Sequence, residues 1–487
     1  MKPSSAIVLL SLLFWTIGGD SSWGEVVYLA PRHDGQPGSG AKGDPYDVST
    51  QPKFDALFRR FELSQKAFEF HFASGTYWTL GSWGNYGFDN WAALSDWKFY
   101  GAGIDRTVLK LAGYRYMKPE DKIPAATSVI AQAPWGRRGI EVKDLTIDCN
   151  WTGFAARTTA PFTLPVKNAE KRITVDDASK LVAEIGKYVY LQTPDRNEVA
   201  ICTLVSIDRA DSITVRNDAP DAINSPGYGC VWFRGSVVPV GCLVAPDLNT
   251  TGIAIGSSDS IVERVHVTNT GAPICEQALG ICIVAIKGEY EVKPATGNVV
   301  RDCLVDDLWG EYGWGITLVS NNPDTGDDGT FIEGLVEGNT VLSVSRTHQG
   351  FSGWGTGRIV WRHNVARHCG VGWFEDSGYD RNQLIEDNLF EDNRIGIQFS
   401  SGTYWKDSVI QRNRILVPPG GMGILSNGWV TGSIIEKNQI LSTQNGIAIQ
   451  ANPLGSHGNV ISGNQISPTL SLSVDARYLQ PAAAGTQ

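Results

Sequence analysis

Six short phrases recur along the second half of the chain, each closing on asparagine: LVEGN (335–339), VWRHN (360–364), LIEDN (384–388), VIQRN (409–413), IIEKN (434–438) and VISGN (460–464). Their asparagines lie 25, 24, 25, 25 and 26 residues apart. A second apolar run stands about midway in most repeats: GWGITLV (313–319), VGWF (371–374), IGIQF (395–399), MGIL (422–425) and GIAIQ (446–450). Three short strands with polar corners fit a period of this length, and no 3.6-residue periodicity competes. One such coil cannot bury its own inner face. Stacked coils can, with strands meeting at about 4.8 Å, and the pattern predicts a parallel β-helix.

Looser copies stand upstream as VVRDC (299–303), IVERV (261–265) and IEVKDLTIDCN (140–150), and their uneven gaps imply loop insertions. Asparagine tolerates left-handed backbone at a corner, and its amide can bond to the amide of the next coil. Asn339, Asn364, Asn388, Asn413, Asn438 and Asn464 are therefore expected to form an internal ladder and to carry no chemistry.

With the coils in hand, the chain resembles the right-handed parallel β-helix superfamily of pectin-lyase-like secreted carbohydrate-active proteins. Beside the repeats, the segment VVYLAPRHDGQPGSGAKGDPYDVSTQPKFDALFRRF is similar to the start of such proteins, where a turn leads into a capping helix. FEFHFASGTYW and KFYGAGIDRTVLKLAG resemble their first coils, and the likeness runs over roughly 26–156 and 226–468. It implies an all-β solenoid. It implies no single activity, because the superfamily holds lyases, hydrolases, epimerases, esterases and adhesins. No complete signature of the pectate lyases, pectin methylesterases or polygalacturonases is present, so no catalytic residue is carried over from them.

The rest of the chain divides around these coils. Residues 1–22 have the layout of a secretory signal peptide, with Lys2 before the apolar run from Ala6 to Ile17 and small residues after it. No later apolar run reaches membrane-spanning length, so a secreted protein, extracellular or periplasmic, is expected. Residues 23–156 form the cap and first coils, with Phe54, Leu57, Phe58 and Phe61 at helical spacing over the open end of the core. Residues 157–225 alternate apolar and polar residues between charged turns and read as a small inserted β subdomain. The main solenoid is expected over 226–468 and a tail over 469–487. Aromatic residues such as Trp83, Trp91, Trp97 and Trp309 fall on predicted loops.

The 41 basic and 51 acidic residues are interspersed, for a net charge of −10, which argues against nucleic acid as a partner. The eight cysteines contain no CxxC pair, and both disulfides and buried free thiols remain open; Cys275 and Cys282 are the close pair.

Chemistry is sought where a corner departs from its repeat. After the inner strand, the coils read SNN (320–322), EDSGYD (375–380), SSGTYW (400–405) and SNGW (426–429), and only EDSGYD carries adjacent acids. Glu375 and Asp376, with Glu311 one coil earlier, are the candidates for paired-carboxylate hydrolysis of a polysaccharide. Trp314, Trp354, Arg358, Trp373, Asp380 and Trp405 are the expected substrate contacts. A second reading is β-elimination from a uronate polymer, with His363, His368 and Arg362 as base and carboxyl-neutralising cation. A third is glycan binding without cleavage. No cofactor is required by any of these, although Asp324, Asp327 and Asp328 in NNPDTGDDGT admit calcium without matching a full calcium loop.

Overall fold

The computed structural model describes residues 24–473 except 84–89, 117, 133–136, 218–230, 233–236, 257, 273–276, 286–294, 311, 321–331, 443–446, 451–455 and 467–470. The expected signal peptide, the end of the tail, Glu311, Cys275 and the Asp324–Asp328 cluster lie outside the described residues. Among those described, no helix is long and apolar enough to cross a membrane.

The coils stack as a right-handed parallel β-helix with three faces. Face one is built from strands such as Leu384–Glu386, Val409–Gln411 and Ile434–Glu436, paired in register. Face two follows with Leu389–Glu391, Arg414–Val417 and Gln439–Ser442. Face three carries the longest strands, among them Tyr312–Ser320, Gln349–Trp354, Val371–Arg381, Ile395–Lys406 and Met422–Ser426. In the three-residue strands the middle side chain points inward. Ile385, Ile410 and Ile435 thus stack on one another in the core, while Glu386, Gln411 and Glu436 face out.

The corner between faces one and two explains why the phrase ends in asparagine. Backbone N–H and Nδ2 of Asn339 both donate to Oδ1 of Asn364, at 3.1 and 3.0 Å. The same pair of bonds joins Asn364 to Asn388, Asn388 to Asn413, Asn413 to Asn438 and Asn438 to Asn464. The second hydrogen of each Nδ2 goes to a carbonyl one coil back, such as Ile385 O for Asn413 at 2.8 Å. Every polar atom of these buried amides is used. The left-handed backbone does not fall on asparagine, as the sequence suggested, but on the residue before it: Gly338, His363, Asp387, Arg412, Lys437 and Gly463 all have φ between 53° and 67°. The turn is made there, which frees the asparagine to point inward. The other corners repeat the device, with Cys369 N donating to Asn393 Oδ1 and Gln383 N to Ser408 Oγ.

The second repeated phrase also has a steric cause. A Cβ on Gly315, Gly350, Gly372 or Gly396 would lie 2.3–2.7 Å from a core atom of face two: Val341, Ala366, Phe390 or Ile415 respectively. Face three can close on the core only because these positions have no side chain. Gly396→Ala should lower stability by ~2 kcal/mol through overpacking, whereas Gly43→Ala, with open space around it, should leave thermal unfolding unchanged. Equal melting temperatures for the two variants would refute this account.

The helix Gln51–Ser64 caps the amino-terminal end with Phe54, Leu57, Phe58 and Phe61 buried beneath it, as their spacing predicted. Trp91 and Trp97 are not loop-exposed. They are 1 % and 0 % accessible within this cap, packed at tilted and edge-on angles against Phe58, Phe70 and Phe99. Trp91 Nε1 donates to Asp55 Oδ1, which also accepts from Thr79 Oγ1.

Strand Glu141–Asp148 pairs directly with Ile261–Thr268, so the solenoid runs uninterrupted past the insertion. The inserted segment forms a mainly antiparallel seven-stranded sheet reaching from Ala156 to Pro246, with its own core. It is tied to the coils at both ends. Glu184 accepts from the hydroxyls of Tyr114 and Tyr116, and Arg196 pairs with Asp307 and lies 3.9 Å above the ring of Trp309. Trp309, expected on an open loop, is 5 % accessible at this junction. The six cysteines among the described residues are all buried, and burial pushes the thiol pKa of Cys282, Cys303 and Cys369 up to about 12.

Candidate functional site

The corner between faces two and three turns through a left-handed residue too, and here two successive coils place His368 (φ 56°) and Asp392 (φ 54°). That conformation throws both side chains outward, one coil apart. His368 Nδ1 sits 2.9 Å from Asp392 Oδ2. In the neutral imidazole, a hydrogen bond from Nδ1–H to that carboxylate presents Nε2 as the acceptor.

The pair borders a groove of about 710 Å³ between the solenoid and the inserted subdomain. Its lining includes Asn197 from the insertion, Arg346, Arg394 and the turn Pro418–Gly421. The insertion is held in place there: Asn197 Oδ1 accepts from Arg346 N at 2.9 Å, and Arg196 O accepts from Ser345 Oγ at 3.0 Å. Arg346 and Arg394 are exposed, and neither guanidinium has a carboxylate partner among the described residues. In a chain this acidic, two uncompensated arginines beside a histidine form a local positive field that the global charge conceals.

The other residues anticipated from sequence are distributed differently. Glu375 and Asp376 are neighbours on one strand and point to opposite sides. Glu375 is 0 % accessible inside the solenoid, and Asp380 is 1 % accessible beside it, so neither reaches a substrate. Gln383 Nε2 donates to Glu375 Oε2, and Asp380 Oδ1 accepts from Thr356 N and Oγ1. Asp376 lies on the outer side of face three, half-buried, and desolvation raises its pKa. Trp373 and Trp405 are core residues at 0 % accessibility and Trp314 is at 3 %, so these three, expected at the substrate, serve packing. Trp354 is half-buried, with its indole against Gly378.

Arg362 and His363 both face out. The left-handed corner at His363 breaks the strand alternation, and both side chains meet Glu337, at 2.7 and 3.5 Å. Arg358 pairs with Glu333. These pairs belong to face one and its corners, away from the groove. Of the anticipated residues that are described, only His368 lines it. Arg346, Arg394, Asn197 and Asp392 were not singled out, although the repeat held a clue to the last: RHNVARHC and EDNLFEDN align with His368 over Asp392, 24 residues apart.

A profile of the family described as periplasmic copper-binding protein (NosD) matches residues 316–475, less than half of the chain. Among the described residues, no group of three or more His, Cys, Asp or Glu side chains is placed to hold a metal ion. No curated protein matches the chain. Among solved structures, the mannuronan C-5 epimerase AlgE4 A-module of Azotobacter vinelandii is 13% identical, with a TM-score of 0.49, covering 93% of this chain and 100% of that one. The tailspike protein of Escherichia coli bacteriophage HK620, solved with a pentasaccharide, is 10% identical, with a TM-score of 0.43, covering 89% and 63%. An exopolygalacturonase from Thermotoga maritima is 12% identical, with a TM-score of 0.39, covering 85% and 87%. At these identities the likeness is one of fold.

Proposed function

We propose that the chain is an extracytoplasmic carbohydrate-active enzyme that holds a uronate-bearing polysaccharide in the groove and cleaves it by β-elimination with His368 as base. The observation carrying this reading is the His368–Asp392 pair in a groove that also holds two arginines without carboxylate partners. His368 Nε2 takes the proton alpha to the sugar carboxyl. The electron pair left behind forms the new carbon–carbon double bond as the bond to the glycosidic oxygen breaks. The departing oxygen takes a proton from the imidazolium or from water. Arg346 and Arg394 stabilise the negative charge that gathers on the carboxyl group, a task suited to the planar guanidinium fork.

Hydrolysis by Glu375 with Asp376 loses Glu375 to the core. Asp376 keeps a second reading alive, since an acid raised by burial on an outer face suits protonation of a leaving oxygen.

Uronate polymers and neutral polysaccharides, offered separately, distinguish the two. Elimination gives a product absorbing in the ultraviolet through its conjugated double bond, and His368→Gln should lower kcat/KM by ~10²–10⁴-fold. New reducing ends without that absorbance would overturn elimination in favour of Asp376-dependent hydrolysis, and product from neither would leave binding alone. Arg394→Ala should weaken cleavage mainly through KM, and an unchanged KM would remove that arginine from the site.

A further inference from the structure

Face three ends, at the edge opposite His368, in a row of aromatic side chains that neither the core nor the groove uses. Tyr379, Tyr404 and Trp429 occupy the same position of three successive coils. Tyr379 stacks on Tyr404 at 4.6 Å and 14°, and Trp429 meets Tyr404 at 4.1 Å and 84°. Tyr379 and Trp429 are 38 % and 41 % accessible. The two phenol hydroxyls and the Trp429 indole N–H have no hydrogen-bond partner among the described residues. One coil earlier the position falls on Gly355, so no side chain continues the row beyond Tyr379. Two residues further along the same strands, Arg381 and Lys406 stand as a rim on the same side; Lys406 is 65 % exposed, with its Nζ 3.8 Å from Asp407 Oδ2.

We infer that this row is a second contact site for the polysaccharide, separate from the groove. Exposed rings offer apolar surface to the C–H edges of pyranose rings, and their uncommitted polar tips offer hydrogen bonds to sugar hydroxyls. The rim complements the carboxylates of an acidic chain, a point that rests on the uronate reading above. His368 stands before the start of an eleven-residue strand and Tyr379 near its far end, and the strand between Val371 and Tyr379 alone spans roughly 25 Å at about 3.3 Å per residue. A chain of several sugars reaches both; a disaccharide does not. The row thus makes binding depend on chain length, with remote binding energy available to position the reacting bond.

The test measures polymer binding by affinity electrophoresis in a soluble uronate polymer, with His368→Gln protein so that turnover does not intervene. Tyr379→Ala with Trp429→Ala should weaken retardation by about tenfold, while a disaccharide of the same polymer binds equally to both proteins in calorimetry. Unchanged polymer retardation would overturn the inference, as would sedimentation showing that the double variant converts a dimer into monomers, which would make the row a subunit contact. If wild-type protein forms no product yet the row governs polymer retention, the groove reading fails and this one stands. If product forms and the double variant is retained normally, the reverse holds.

Discussion

Asn413→Leu should destabilise the protein by ~4 kcal/mol or more, the largest effect expected of a single substitution in the coils. The size of the side chain is nearly kept, but four hydrogen bonds vanish together. Asn388 loses the acceptor for its N–H and its Nδ2, Ile385 O loses a donor, and Asn438 Oδ1 loses one of its two. All of these groups are buried, and each orphaned one costs ~1–3 kcal/mol. Arg412→Ala, next in sequence, removes only exposed ion pairs with Glu386 and Asp387 and should change little. Thermal unfolding of the two variants side by side settles the matter. A loss below ~1 kcal/mol for Asn413→Leu would mean that the ladder is dispensable.

The second large effect is a loss of stability as pH rises. Glu375 and Asp380 lie together in the core with only neutral groups bonded to them: Gln383, Thr356 and, through Gln383, Trp361. Donors are too few. Glu375 Oε1 and Asp380 Oδ2 have none, and a proton on one carboxyl is the donor that the other lacks. The charged groups nearest in sequence, Asp376 and Arg381, sit on the outer side of the strand. Burial and the mutual proximity of the acids raise both pKa values, Asp380 to about 7 and Glu375 well above its ordinary 4.5. A folded-state pKa above the unfolded one means that the native protein holds protons which the unfolded chain releases. The pair's stability is therefore complete below the unfolded values of 3.8 and 4.5, and declines as pH rises through the folded ones. The melting temperature should fall between mildly acidic and mildly alkaline pH. Glu375→Gln, whose amide donates at any pH, should flatten that slope. A wild-type melting temperature that rises across the same range would contradict a shared proton.

Sequence periodicity revealed the coils, the asparagine ladder and the cap because each rests on a rule that works over short distances and repeats. The site was harder to read, and the residues show why. EDSGYD reads as a corner because it follows the inner strand as SSGTYW and SNGW do, whereas Val371–Arg381 continues as one strand. Strand alternation then separates Glu375 from Asp376, and an irregularity in the strand between Glu375 and Ser377 shifts the alternation so that Asp380 turns inward with Glu375. The tryptophans were misplaced because an aromatic run looks the same in a loop as in a wide core, and this solenoid is wide enough to hold Trp361, Trp373 and Trp405. The groove depends on Asn197, which folds back from the insertion onto a loop about 150 residues later in the chain, and no local pattern announces such a contact.

The asparagine ladder also gives the solenoid a direction. Each side-chain amide offers its oxygen to the coil before it and one of its hydrogens to the asparagine of the coil after it, so the amides run head to tail from Asn339 to Asn464. The two ends of the stack are consequently unlike: at one the first oxygen, that of Asn339, is taken by the Cys303 N–H, while the other presents donors to whatever coil follows. A chain emerging from its amino-terminal end would meet, at every new asparagine, a row of donors already set in place by the coil completed before it. Growth by templating is favoured in that sense alone, and the polarity of synthesis and the polarity of the stack coincide.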